Sequence, residues 1–274
     1  MHPELFPSKM EQGYTLNDKL PPSAKLPEIR LRRIKVVGTT DTYTIRPSFV
    51  LPYMAQRAPR YTSDVEKGLL LLNHGVPYWL VTDVCGKDDM FWQRLEVSFG
   101  RNSIVGTTVK DSENLSENVV ADEKYTKNNG EKVYIATTVA EECVLGASVS
   151  PSAGEQDLTE SYGPIFEAVL KLCCRFDEFS PVYSFSGSHR TSNMVDRHMD
   201  AMNRYLFAGH YFHGHLASAE MRIRAWALIH NFRPYCPRSQ QAFSSRVHKL
   251  NGSVYHHHWL HNLLISSSMA GFRA

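Results

Sequence analysis

No CxxC spacing occurs among the five cysteines (Cys85, Cys143, Cys173, Cys174, Cys236). That excludes a conventional four-thiolate zinc site and fits a reducing compartment. No stretch approaches the roughly 18 consecutive apolar residues of a membrane span, and the first residues lack the apolar core of a secretory leader. The expected location is therefore the cytoplasm, with no membrane partner. An excess of one charge is also missing, since 30 Lys+Arg stand against 28 Asp+Glu over 274 residues. With 42% hydrophobic and 21% charged residues, the chain can bury one large core or two smaller ones.

What is present is segregated. Residues 1–115 hold 15 basic and 13 acidic side chains, residues 116–180 hold 5 and 12, and residues 181–274 hold 10 and 3. An acidic centre followed by a basic end suits a cation site beside a polyanion-binding face, although solvation alone also places charge on surfaces.

Residues 1–27 are polar and Pro-rich and read as a flexible, extended arm. Glu28 to Val37 reads as a strand carrying Arg30, Arg32, Arg33 and Lys35. Alternation puts Arg30 and Arg32 on one face, a phosphate-facing strip or equally a solvated edge strand. Thr39 to Ile45 is expected to pair with it as a hairpin. In residues 62–99, Thr62 or Ser63 caps a helix with Leu69, Leu70 and Leu72 on its apolar side. Gly75 ends it, Pro77 opens a second, Gly86 ends that, and Asp88 or Asp89 begins a third. Short helix, Gly turn, short helix is how a helix-turn-helix reads, and equally how a helical hairpin that binds nothing reads.

The segment NVVADEKYTKNNGEKVYIATTVAEECVLGASV (118–149) predicts three strands, Val119–Tyr125, Lys132–Val139 and Cys143–Val149. Asn128-Asn129-Gly130 supplies a hairpin turn and Glu141-Glu142 the next connection. Asp122 and Glu123 fall on opposite faces of the first strand, and a carboxylate on an apolar central strand is costly unless paired or bound to a cation. A loop and a helix follow, the helix proper starting at Pro164. Thr191 or Ser192 is expected to cap a further helix, with Asp196, Asp200 and Asn203 on one side and Arg190, Arg197 and Arg204 flanking it. An amphipathic helix with exposed ion pairs gives the same pattern. Ala217–Phe232 reads as a helix with one apolar face (Met221, Ala225, Leu228), and Val254–Ser267 as a closing helix. His256, His257, His258 and His261 could bind zinc or nickel only adventitiously, with no Cys or acid nearby. His210, His213 and His215 surround a Gly-containing loop on the expected DNA face.

Three places carry a resemblance: Asp122 in VVADEKYT, Ser192-Asn193-Met194-Val195-Asp196, and WALIHNFRP at Trp226–Pro234. In these the chain resembles DDE-type transposases of bacterial insertion sequences, over roughly residues 28–235. The resemblance implies an α/β, ribonuclease-H-like mixed sheet with flanking helices in residues 116–274. Before it, in residues 28–115, would lie a DNA-binding region with a helix-turn-helix-like 62–99. It also implies Mg²⁺ (or Mn²⁺) held by Asp122 and Asp196, and phosphate contacts from Arg190, Arg197 and Arg204, with Asn193 in the same element. The DNA partner would be the element's terminal inverted repeats, engaged by a homo-oligomer. Glu220 is a less favoured candidate for the last acid, since a helix-surface Glu near Arg224 at i+4 accounts for it.

The chain departs from that pattern in one respect. Relatives carry a second catalytic Asp at the end of a fourth strand, yet only about seventy residues separate Asp122 from Asp196, and a helix fills much of them. Asp177 is the only positional substitute, as Asp157 falls too early. An internal deletion near 173–178 explains this, so a transposase defective in cleavage is expected. The alternative is a non-catalytic DNA-binding remnant that occupies element ends. A nuclease of the same fold with an unrelated substrate is a weaker third reading.

Overall fold

The computed structural model describes residues 12–21, 31–45, 62–115, 119–173, 189–239 and 241–273. The chain is mixed α/β and divides into two compact units, residues 1–66 and 67–274. The region 28–115 is thus shared between them.

In the first unit β1 (Tyr14–Lys19), β2 (Arg32–Val36) and β3 (Thr42–Ile45) form an antiparallel sheet in that order. The sequence reading placed residues 14–19 in a flexible arm; they form a strand, with Tyr14 opposite Val36 and Leu16 opposite Ile34. β2 is consequently the middle strand, not an edge. Ile34 and Val36 are buried on the face that Arg32 shares, while Arg33 and Lys35 point the other way. The hairpin of β2 with β3 forms as expected.

The boundary between the units falls within α1 (Thr62–Asn73), and α2 (Tyr78–Cys85) and α3 (Asp89–Phe99) follow in the second unit. The Gly75, Pro77, Gly86 and Asp88 punctuation is as expected, whereas Thr62 and Ser63 lie inside α1 instead of capping it. Gly75 and Gly86 have φ of +87° and +69°, and the Asp88 side chain accepts the Phe91 N–H at 2.7 Å as the N-cap of α3. A short α4 (Ile104–Thr108) follows. Then β4 (Val120–Asn128), β5 (Glu131–Ala140) and β6 (Cys143–Ser150) build an antiparallel meander, and both described sheets are antiparallel throughout. Asn129-Gly130 makes the first turn with φ of +51° and +85°. The second turn puts two non-glycine residues, Glu141 and Glu142, at φ +48° and +66°. Such positions cost on the order of 1–3 kcal/mol each and persist where the surroundings hold them. Here Lys249 Nζ and the Tyr235 hydroxyl donate to Glu142 at 2.7 and 3.2 Å.

Helices cover the sheet. α5 (Glu155–Cys173) starts nine residues before Pro164 and carries that proline inside it; an interior proline costs a helix about 3 kcal/mol, and here the helix is held by packing on β6. It packs on β6 at Gly146, where an added methyl would lie 2.3 Å from Ile165. α6 (His189–Ala208) begins before Thr191 and Ser192 and packs against β4.

The centre of the unit is α7 (Leu216–Phe232). The sequence predicts one apolar face, yet every residue from Ala225 to Phe232 is buried. α7 runs along the outer edge of β6 and satisfies it. Asn231 Oδ1 accepts the Val144 N–H at 2.9 Å, and its Nδ2 donates to the Val144 carbonyl (2.7 Å) and Thr108 Oγ1 (3.1 Å). At the other end Glu220 Oε2 accepts from the Val149 N–H (2.8 Å) and Ser148 Oγ (3.0 Å). The spacing follows from backbone geometry. Eleven helical residues rise about 16 Å over three turns, and five strand residues span about 16 Å. One helix face therefore meets both ends of the strand edge. α8 (Arg246–Asn251) and α9 (Trp259–Arg273) close the unit, with Trp259, Leu260, Leu263 and Leu264 buried. α3 crosses α7 at Gly100, where a methyl would sit 2.0 Å from the Met221 carbonyl oxygen.

Asn231→Ala leaves both Val144 backbone groups buried without partners, at about 1–3 kcal/mol per group. We expect a stability loss of about 3 kcal/mol in urea unfolding, against under about 1 kcal/mol for Glu220→Gln, which keeps an acceptor oxygen. Equal losses in the two variants would show that the strand edge does not depend on Asn231.

Candidate functional site

The two acids of the resemblance lie on neighbouring elements. Asp122 sits on β4, an edge strand of the sheet, and is exposed. It therefore pays no desolvation cost, contrary to the expectation for a central strand. Its Oδ1 accepts the Glu123 N–H at 2.9 Å. Glu123 points to the other face and accepts from the Tyr162 hydroxyl of α5 at 2.9 Å. Asp196 lies with Asp200 and Asn203 on the exposed side of α6, opposite Val195, His198, Met199, Met202, Tyr205 and Leu206, which are buried. Asp177 lies outside the described residues. Among the described residues no three His, Cys, Asp or Glu side chains come together to hold a metal ion. Carboxylate oxygens suit Mg²⁺ chemically, but Asp122 and Asp196 do not complete a site with any described neighbour.

The predicted basic residues are dispersed. Arg30 lies outside the described residues, as do the side chains of Arg190 and Asn193. Arg33 is engaged by Asp18, with Nε donating to Oδ1 at 2.8 Å and Nη2 to Oδ2. Lys35, Arg197 and Arg204 are exposed, and Arg32 is half-buried. On the α2–α3 surface, Asp83, Asp88 and Asp89 outnumber Lys87 and Arg94, and the exposed apolar groups there are Trp79, Val84 and Met90. That is an unfavourable face for a polyanion.

Sequence reasoning missed a cationic cluster where α1, α6 and α7 meet. Nη1 of Arg233, just past α7, donates to the His74 ring (3.2 Å to Nδ1, closer to Nε2). Its Nη2 lies 3.3 Å from His230 Nδ1. Arg246 donates to the His230 carbonyl at 3.2 Å, capping α7, and lies over the Tyr235 ring. Burial, followed by the charges of Arg246 and Arg204, holds Arg233 down to about 10. Burial, then Arg233 and Arg204, lowers His74. The signal was present in HNFRP, whose His, Asn and Arg all have named partners here.

Behind the cluster His198 Nδ1 and His230 Nε2 lie 3.0 Å apart, both buried, and His230 stacks on Trp226 with centroids 4.7 Å apart. Burial is the first cause that lowers both, His198 to about 4.

Three further groupings are present. A cleft of 320 Å³ between α5, β6 and α7 is lined by Glu220, Arg224, Arg101 and Ser148 with apolar Ile165 and Leu145. Glu220 faces Arg224 there at 4.0 Å, as the i+4 reading expects, but it is held by β6 rather than free on a surface. Glu96, fully buried, accepts from the Tyr205 hydroxyl at 3.2 Å and from Tyr78, and burial raises its pKa. Near the end of the chain His256 and His261 ring nitrogens approach to 3.4 Å, and His257 is exposed.

No family model, curated protein or solved structure matches the chain.

A histidine whose folded pKa lies below its unfolded value is protonated more readily in the unfolded chain. Its contribution is present above about 6.5 and lost as pH falls towards the folded value. His198 faces Arg246, Glu142, Arg197 and Arg233, of which only Glu142 favours the charged ring. Stability should therefore fall between about pH 6.5 and 4, by up to ~1.4 kcal/mol per pH unit for each such ring. His198→Gln should reduce that slope in denaturant titrations across the window. An unchanged slope would remove His198 from the account.

Proposed function

We propose that this chain is a DDE-type transposase relative of a bacterial insertion sequence, with a ribonuclease-H-like second unit, that binds DNA and is defective in cleavage. The observation that carries this reading is the order and packing of its elements. An antiparallel three-strand meander bears Asp122 on its first strand, a helix follows, and the helix bearing Asp196 packs against that first strand. Asp122 and Asp196 are thus on touching elements although 74 residues apart. The excess of basic over acidic residues in 181–274, 10 against 3, supports a polyanion partner. The partner is DNA at element ends, bound by a self-associated chain in the cytoplasm, and the three-helix region 62–99 is the helix-turn-helix-like part. Mg²⁺ or Mn²⁺ would need Asp177 or another acid beside the two Asp residues, so no cleavage step is assigned.

Loss of a second acid while the basic residues remain separates binding from cutting. Incubated with supercoiled plasmid and Mn²⁺, the chain should produce no nicks above those of Asp122→Asn, while duplex binding should be the same in wild type, Asp122→Asn and Asp196→Asn. Nicking that requires both acids would overturn the defect and restore an active enzyme. Absence of duplex binding at low salt would overturn the DNA reading itself.

A further inference from the structure

The cationic cluster differs from the ion-paired basic groups of the chain. Arg33 pairs with Asp18, Arg224 with Glu220 and Lys249 with Glu142. Arg204 and Arg233 have no acidic partner within 4 Å among the described residues. Arg233 is half-buried, and its Nε lies buried with no hydrogen-bond partner. An arginine at a helix end commonly caps the last carbonyls, but here Arg246 takes that part by donating to the His230 carbonyl. Arg233 instead directs its guanidinium at two imidazoles, His74 and His230. His74 is at the end of α1, and the turn that follows it abuts α6 at Arg204, since a methyl on Gly75 would meet the Arg204 carbonyl oxygen at 2.8 Å. The backbone thus brings the ends of α1 and α6 together beside Arg233, and the charge of Arg204 acts on both Arg233 and His74, with Arg246 behind them. Two arginine charges gathered without a counter-charge cost free energy unless an anion completes the set. Retaining them at a half-buried position argues for such an anion.

We propose that Arg204, Arg233 and His74 form an anion site for a phosphate or phosphodiester group. A guanidinium fork and an imidazole N–H match phosphate oxygens, and the double charge of a phosphate answers two guanidinium groups where a carboxylate answers one. Assigning the group to a DNA backbone rests on the transposase reading; the site itself does not. Among the remaining groups, Glu96 is buried and its two carboxylate oxygens already accept from Tyr78 and Tyr205. The cleft at Glu220 has its carboxylate and Arg224 already paired with each other.

The test follows the His74 ring by NMR in the full chain during titration with inorganic phosphate, and duplex binding by anisotropy over a salt series. Arg204 is exposed on α6, so Arg204→Gln should fold, whereas an Arg233 variant endangers the core. Phosphate should raise the His74 pKa in wild type and should bind at least fivefold more weakly to Arg204→Gln. For a 20-base-pair duplex of arbitrary sequence, the variant should lose about fivefold in affinity and about 0.9 in the log–log salt slope, one phosphate contact. Arg204→Lys should restore the slope. Phosphate that shifts His74 while no duplex binds would uphold the anion site and remove DNA as its source. Duplex binding equal in wild type and Arg204→Gln, with His74 indifferent to phosphate, would overturn the site and leave the DNA reading standing.

Discussion

The second unit depends on one match of lengths, eleven residues of helix against five of strand. A three-stranded meander leaves β6 with unpaired N–H and C=O groups along its outer edge, and in a buried position each costs about 1–3 kcal/mol. α7 removes that cost with side chains rather than with another strand. Asn231 serves as a surrogate peptide, accepting from and donating to the same residue, Val144, and Glu220 serves as an acceptor three turns away. Fixing both ends of β6 to α7 leaves the helix with no solvent side over its second half, so Trp226, Leu228, Ile229 and Phe232 become core. α3, α4, α8 and α9 then pack around a helix whose position is already set.

That constraint redistributes functional meaning among the motif residues. Asn231, within WALIHNFRP, is occupied by the sheet edge, and Glu220 is likewise engaged. What remains uncompensated at the end of α7 is positive charge. Arg233 and His74 sit between a buried, neutral histidine pair and the exposed Arg204, and burial makes each cation sensitive to the others. The acids have the opposite character. Asp122 and Asp196 stand exposed on touching elements, where hydration supports them without a metal.

Much of the local structure was legible because it rests on residues with few conformational options. Gly75, Pro77, Gly86 and Asp88 delimit α1 to α3, and Asn129-Gly130 fixes the hairpin, each through a backbone angle or cap. What was not legible depends on tertiary contact. Glu220, Arg222 and Arg224 gave the first half of α7 a surface pattern, and nothing local in the sequence reveals that the second half is enclosed. Pro164 read as a helix start because its tolerance inside α5 is decided by packing on β6. Residues 14–19 read as an arm, because a short polar strand becomes one only through its partner β2. The cationic cluster was invisible for the same reason: His74, Arg204 and Arg233 are 159 residues apart at the extremes. Asp122 and Asp196 were found by motif, and their neighbouring placement follows from α6 lying on β4.

The proposed DNA partner would meet this chain at the ends of α1, α6 and α7, and the helix-turn-helix-like order of 62–99 would not carry the contact, because its α2–α3 surface is acidic. Hydrogen exchange of the full chain with and without duplex DNA tests this most directly. Slowed exchange should be confined to the His74–Val76 turn, the C-terminal half of α6 and residues 233–235, with α2 and α3 unchanged. Protection concentrated on α2 and α3 instead would assign DNA reading to the helix-turn-helix-like region and contradict the account.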